Sequence, residues 1–259
     1  MRALQNKKGV IKREDDFKEI GFIDEKYIQE ADIIMGKSIL KKTCIKIATT
    51  AACFVSILGI GIRLAYNQGD TIKLTDASNK VSAKYVNNVP AIITTGDLVE
   101  LSEKELFSKY DTAIFKGRIL KVDNIQIDMN GQKEYRAVTQ IKVEKVYRGD
   151  FKTEDTLSIL LPCPINGGVW VEDTETVSSM KVGMTGIFMP IKYTEKSYYE
   201  ANGAKLALKD IADYGFADGE RYAFLEKDNN LIFAKWAYKS IEKATTLEEI
   251  EVYIEKMVK

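Results

Sequence analysis

The feature that most constrains this chain is Ile47 to Ile62, IATTAACFVSILGIGI, sixteen residues without a charge between Lys46 and Arg63. A spanning helix needs about 17–25 predominantly apolar residues. The long stems of Lys46 and Arg63 carry their charges outward and extend the apolar length. Taken from Cys44 to Tyr66 the stretch is 23 residues long, enough to cross a bilayer with some tilt. Tyr66 falls where an interfacial aromatic is favoured, and Gly59 and Gly61 are tolerated in membrane helices. A buried helix of a soluble core would carry a polar face, yet the polar side chains here are only Thr49, Thr50 and Ser56. A cleaved signal peptide would lie near the N-terminus, whereas more than forty residues come first. The stretch therefore predicts a single transmembrane helix over 44–66.

Flanking charge sets the orientation. Four lysines (Lys37, Lys41, Lys42 and Lys46) lie in the fifteen residues before Ile47, against Arg63 and Lys73 in the fifteen after Ile62. Positive charge stays inside, which predicts a cytoplasmic tail over 1–43 and an extracellular C-terminal domain. Within the tail, residues 17–32 place Ile20, Ile23, Tyr27, Ile28 and Ala31 near helical spacing behind the capping residue Asp24. This short amphipathic helix is a surface for a cytoplasmic protein partner or for the bilayer.

Several function classes are disfavoured by composition. There is no histidine, which removes Ser-His-Asp and Cys-His catalysis and histidine metal sites. The charges balance, 38 basic against 38 acidic, unlike the basic face of a nucleic-acid binder. Cys44 and Cys53 fall in the span, so Cys163 has no disulfide partner in the outer domain and reads as a small buried hydrophobe. No catalytic, cofactor or metal residue is assigned. The acidic run Glu172, Asp173 and Glu175 lacks the ligand alternation of a calcium loop and reads as a solvated loop. Trp170, Tyr198, Tyr199, Tyr214 and Trp236 are candidates for a ligand groove or for core packing. Arg148-Gly149-Asp150 has the letters of an integrin ligand but ends a strand.

After the span, the polar residues 67–95 predict a linker. Residues 96–259 then form a mainly β domain with helices, an α+β arrangement. Ser102 and Glu105 make a capping box for a helix over 101–110. Strands are predicted at 113–122, 135–147, 157–161 and 184–193, with Asn130-Gly131 as a hairpin turn and Pro190 as an edge or bulge. The segment 166–182 reads as irregular. A hairpin of 222–225 and 231–234 turns at 228–230, and a helix over 247–257 closes the chain behind Thr245 or Thr246.

Three segments carry a resemblance. Residues 111–119, DTAIFKGRI, resemble the opening strand of OB-like barrels of the netrin and metalloproteinase-inhibitor type. Residues 143–150, VEKVYRGD, and 181–189, KVGMTGIFM, are similar to later strands of the same domains. The resemblance covers about residues 107–195 and implies a small OB-like barrel after the single transmembrane helix. Inhibitory members depend on an N-terminal cysteine that is missing here, so protease inhibition is not carried over. The segment IGFIDEKYIQEAD with the following span resembles the N-terminal module of Gram-positive single-pass proteins, some of them similar to anti-sigma factors. Together these imply a non-catalytic, membrane-anchored binding or sensing protein, partnered by the bilayer and, through 17–32, by a cytoplasmic protein such as a sigma factor. A cell-envelope hydrolase using carboxylates and a structural or adhesive surface domain are the alternatives.

Overall fold

The structure, a computed structural model, describes residues 71–75, 80–91, 93–94, 98–165, 170–171, 173–228 and 230–259. The tail, its amphipathic helix and the apolar run 44–66 lie outside the described residues. Among the described residues no helix is long and apolar enough to cross a membrane.

The fold is mainly β, built on one curled sheet. Its centre is a long hairpin of β4 (Ile114–Met129) and β5 (Gln132–Arg148). Asn130 (φ 54°) and Gly131 (φ 93°) turn it, as the Asn-Gly pair predicts. β6 (Thr156–Leu161) continues the sheet antiparallel to β5. The stretch predicted as one strand over 184–193 is two, β8 (Thr185–Phe188) and β9 (Ile191–Lys192), separated at Met189 and Pro190. β8 pairs with β4, whereas β9 pairs with β12 (Tyr214–Gly215), itself parallel to β6. At the break, the Ala113 N–H donates to Pro190 O at 2.8 Å, and Thr112 bridges Ile191. Proline has no N–H to give the ladder, so the break falls where its carbonyl alone is needed.

The hairpin is longer than predicted because it serves two cores. β4 carries one residue more than β5 between Ile119 and Lys121. Such a bulge re-aims every later side chain. Phe115 and Ile119 therefore face the first core, and Ile125, Ile127 and Met129 face a second one on the opposite side. The expected alternation of Ala137, Thr139, Ile141 and Val143 holds, all four being buried. Gly117 is required between them: a Cβ there would lie 2.4 Å from Lys142 O.

The second core corrects the linker reading. Within 67–95, β1 (Thr71–Ile72) pairs with β2 (Val81–Tyr85), and β2 pairs with the outer half of β4. Val81 and Ala83 are buried, an alternation hidden by the surrounding Ser, Lys and Asn. β10 (Tyr198–Ala201) and β11 (Ala204–Ala207) form a hairpin that packs Ala204 and Leu206 into the same core. Its turn, Asn202-Gly203, is the same Asn-Gly signal as the first. The segment expected to be irregular contains β7 (Trp170–Val171), parallel to β3 (Ile93–Thr94), and a single helical turn, α2 (Glu175–Ser178).

α1 (Glu103–Ser108) has the Ser102/Glu105 capping box, and α3 (Leu247–Met257) has one made by Thr246 and Glu249. β13 (Ala223–Lys227) and β14 (Asn230–Ile232) form the last hairpin, turned at Asp228 (φ 51°). α3 buries Leu247, Ile250, Tyr253 and Ile254 against β8 and β13. Glu251 fixes it by accepting from Lys116 at 2.7 Å and Lys145 at 2.8 Å.

Candidate functional site

Glu220, in the loop between β12 and β13, is a buried carboxyl held well above the usual carboxylate range. Its scaffold is Asp218, whose Oδ1 accepts the N–H groups of Glu220 (2.9 Å) and Arg221 (2.7 Å). Asp218 Oδ2 takes Arg221 Nε at 2.9 Å and Nη2 at 2.8 Å. Arg221 also donates to Val99 O at 2.7 Å, and its own carbonyl accepts from Tyr238 Oη at 2.6 Å. A buried ion pair is tolerated when its remaining donors and acceptors are satisfied, and this one is held on both sides. The result is a rigid loop that presents Glu220 to α2.

Glu220 is 7 % exposed. Its Oε2 accepts the Thr176 N–H at 3.1 Å, and its carboxyl meets that of Glu175. Burial pushes the Glu220 carboxyl up to about 7, helped by Glu175 and Asp218 and opposed by the Thr176 N–H. The neighbouring carboxylates disfavour a second charge beside them and so add to the effect of burial on Glu220. The contact is reinforced by Val177 N–H to Gly219 O at 3.0 Å. The arrangement favours the protonated form of Glu220 at the contact between this loop and α2.

This pair was not legible beforehand, since Glu175 and Glu220 are 45 positions apart. Of the predicted acidic cluster, Glu172 lies outside the described residues. Asp173 adopts φ 58°, and Glu175 turns to Glu220. Among the described residues no three Asp, Glu or Cys side chains are placed to hold a metal. Cys163 is buried in the first core, and burial pushes its thiol up to about 11.

The aromatic candidates occupy separate surroundings. Tyr214 is buried edge-on to Phe151, with ring centroids 6.2 Å apart. Trp236 is exposed, with Arg221 6.0 Å from its ring. The Tyr199 hydroxyl donates to Glu134 and its ring stacks 4.5 Å from the Arg136 guanidinium. Trp170 pairs its backbone with Ile93. Arg148 of the Arg-Gly-Asp triplet is structural: it donates to Thr112 O at 2.7 Å and Phe107 O at 3.2 Å, tying the end of α1 to the start of β4.

Tyr198 lines an open groove of about 510 Å³ in the connection between β9 and β12. Lys205 lies 4.0 Å over its ring and pairs with Glu200 at 2.9 Å. Lys209 pairs with Glu195 at 2.5 Å. On the groove wall, Asp210 accepts from Thr75 N at 2.7 Å and Oγ1 at 2.9 Å, joining this connection to the start of the described chain.

Comparison with protein-family profiles, curated proteins and solved structures finds no match for the chain.

Proposed function

We propose that the chain is a single-pass membrane protein whose C-terminal domain is an extracellular OB-like module for binding or sensing, with a cytoplasmic tail that contacts a partner such as a sigma factor. The observation that carries the domain reading is a ring of pairings. β4 pairs with β5, β5 with β6, β6 in parallel with β12, and β12 with β9. The Thr112–Ile191 bridge and the Ala113–Pro190 hydrogen bond then return to β4. Five strands in that order, with one parallel pair, suit a small Greek-key barrel of the OB kind.

Such barrels bind on the face of their second and third strands and on two flanking loops. Here the outer face of the corresponding strands, at Val138 and Leu160, is buried with Leu206, Ile211 and Ala212 of the β9–β12 connection. The hairpin turn and that connection are also tied together, Asn202 Nδ2 donating to Asn130 O at 2.9 Å. The available surface thus moves outward, to the groove beside Tyr198. The anchor reading rests on the apolar run 47–62 and its flanking charge.

Alkaline carbonate extraction of the full-length protein from a Gram-positive host tests the anchor. Retention in the membrane pellet is expected, and release with peripheral proteins overturns the reading. The signalling half is tested by a pull-down with residues 1–43, which is expected to recover a specific sigma factor and fails if it recovers none.

A further inference from the structure

We infer that the α2 turn is a pH-gated latch: ionisation of Glu220 lifts the turn off the 218–220 loop, and protonation seats it again. The latch is made of contacts between two short segments. Glu220 Oε2 accepts the Thr176 N–H at 3.1 Å, and Gly219 O accepts the Val177 N–H at 3.0 Å. Gly219 lets the segments touch, since a Cβ there would lie 2.7 Å from Thr174 Cγ2 and 2.9 Å from its Cα. Behind these contacts Thr176, Val177 and Met180 are buried, the last two in the first core. α2 itself is a single turn, too short to hold its shape without that seat.

The charges around Glu220 leave its ionised form poorly held. Glu175 faces it from α2 and Asp218 from its own loop, and both disfavour a further negative charge. The neighbouring cation, Arg221, is engaged by Asp218 and by Val99 O. The hydroxyls of Tyr222 and Tyr238, on the Arg221 side of the loop, are held well above their ordinary value by burial and stay neutral. A single backbone N–H, from Thr176, thus stands against lost hydration and two like charges. When the turn lifts, water reaches the carboxylate, and Glu175, already exposed, moves away with α2. The seated form therefore binds the proton more tightly than the lifted form, and rising pH favours lifting.

The test is amide hydrogen exchange of the full-length protein, read as protection relative to the unstructured rate at each pH. Protection at Thr176 and Val177 is expected to fall about tenfold from about pH 6 to about pH 8, as a carboxyl moving between about 7 seated and its ordinary 4.5 lifted requires. These amides should exchange faster than those of β4 and β5 and without response to low urea, the mark of a local opening. In Glu220→Gln the fall is expected to vanish. In Glu175→Gln, which alters an exposed side chain and keeps the test should Glu220→Gln not fold, it should move to lower pH. Thr176 and Val177 amides that exchange at the urea-dependent rate of β4 and β5 overturn the latch, leaving only an effect on overall stability. No fall in the wild type, or a fall undiminished in Glu220→Gln and unmoved in Glu175→Gln, overturns the role of Glu220.

Discussion

Replacing Glu220 by Gln isolates the proton that burial holds on the Glu220 carboxyl in the loop before β13. The ordinary carboxyl value of 4.5 is raised to about 7 in the folded chain. At about 1.4 kcal/mol for each pH unit, the ionised form costs up to about 3 kcal/mol in the native state. The sign follows from linkage: the native state binds the extra proton, so this contribution is fully present below the unfolded value and is lost as pH rises through about 7. The amide of Gln can still donate to Glu175 and accept the Thr176 N–H, with nothing to titrate. The chain has no histidine to blur the same pH window. Urea unfolding of residues 71–259, followed by tyrosine and tryptophan fluorescence, is expected to show wild-type stability falling by about 3 kcal/mol from about pH 5 to pH 8. Glu220→Gln should match wild type near the acid end and exceed it near the alkaline end. A wild-type profile that is flat across that window, or a variant with the same slope, refutes a Glu220 carboxyl raised by burial.

Other residues give independent readings. Glu251 lies at about 2, held down by Lys116, Lys145 and Tyr147 against the opposing effect of burial, so its contribution is present above about 4.5 and lost as pH falls toward 2. Glu251→Gln should remove about 1–2 kcal/mol of stability near neutral pH and flatten the acid limb of the same unfolding curves. Gly117→Ala forces a Cβ against the Lys142 carbonyl and should cost about 1–3 kcal/mol, read as a lowered urea midpoint. The Cys163 thiol should resist maleimide near pH 8 in the folded 71–259 fragment and react on unfolding; ready labelling of the folded form contradicts its burial.

What was legible in the sequence followed local chemistry. Asn130-Gly131, the Ser102/Glu105 box and the alternation from Ala137 to Val143 each encode their structure within a few residues, and each is found. Pro190 marked a break in a strand, but its two halves have different neighbours, and pairing partners are set by distant sequence. β2 was hidden because its buried residues are only Val81 and Ala83, set among polar ones. Asn202-Gly203 carries a hairpin signal equal to the first, but its flanks, YYEA and AKLA, are too weakly apolar to announce strands on their own. The Glu175–Glu220 contact joins α2 to the loop before β13 through the fold, and no spacing rule announces such a pair.

External protease applied to intact Gram-positive cells expressing the full-length protein, with an N-terminal epitope read by immunoblot, tests directly on which side of a membrane the β domain lies. A tagged stub containing the tail and the apolar run should survive while the C-terminal domain is digested, and cell lysis should expose the stub as well. Full-length protein that stays intact on whole cells and is cut only after lysis contradicts the account.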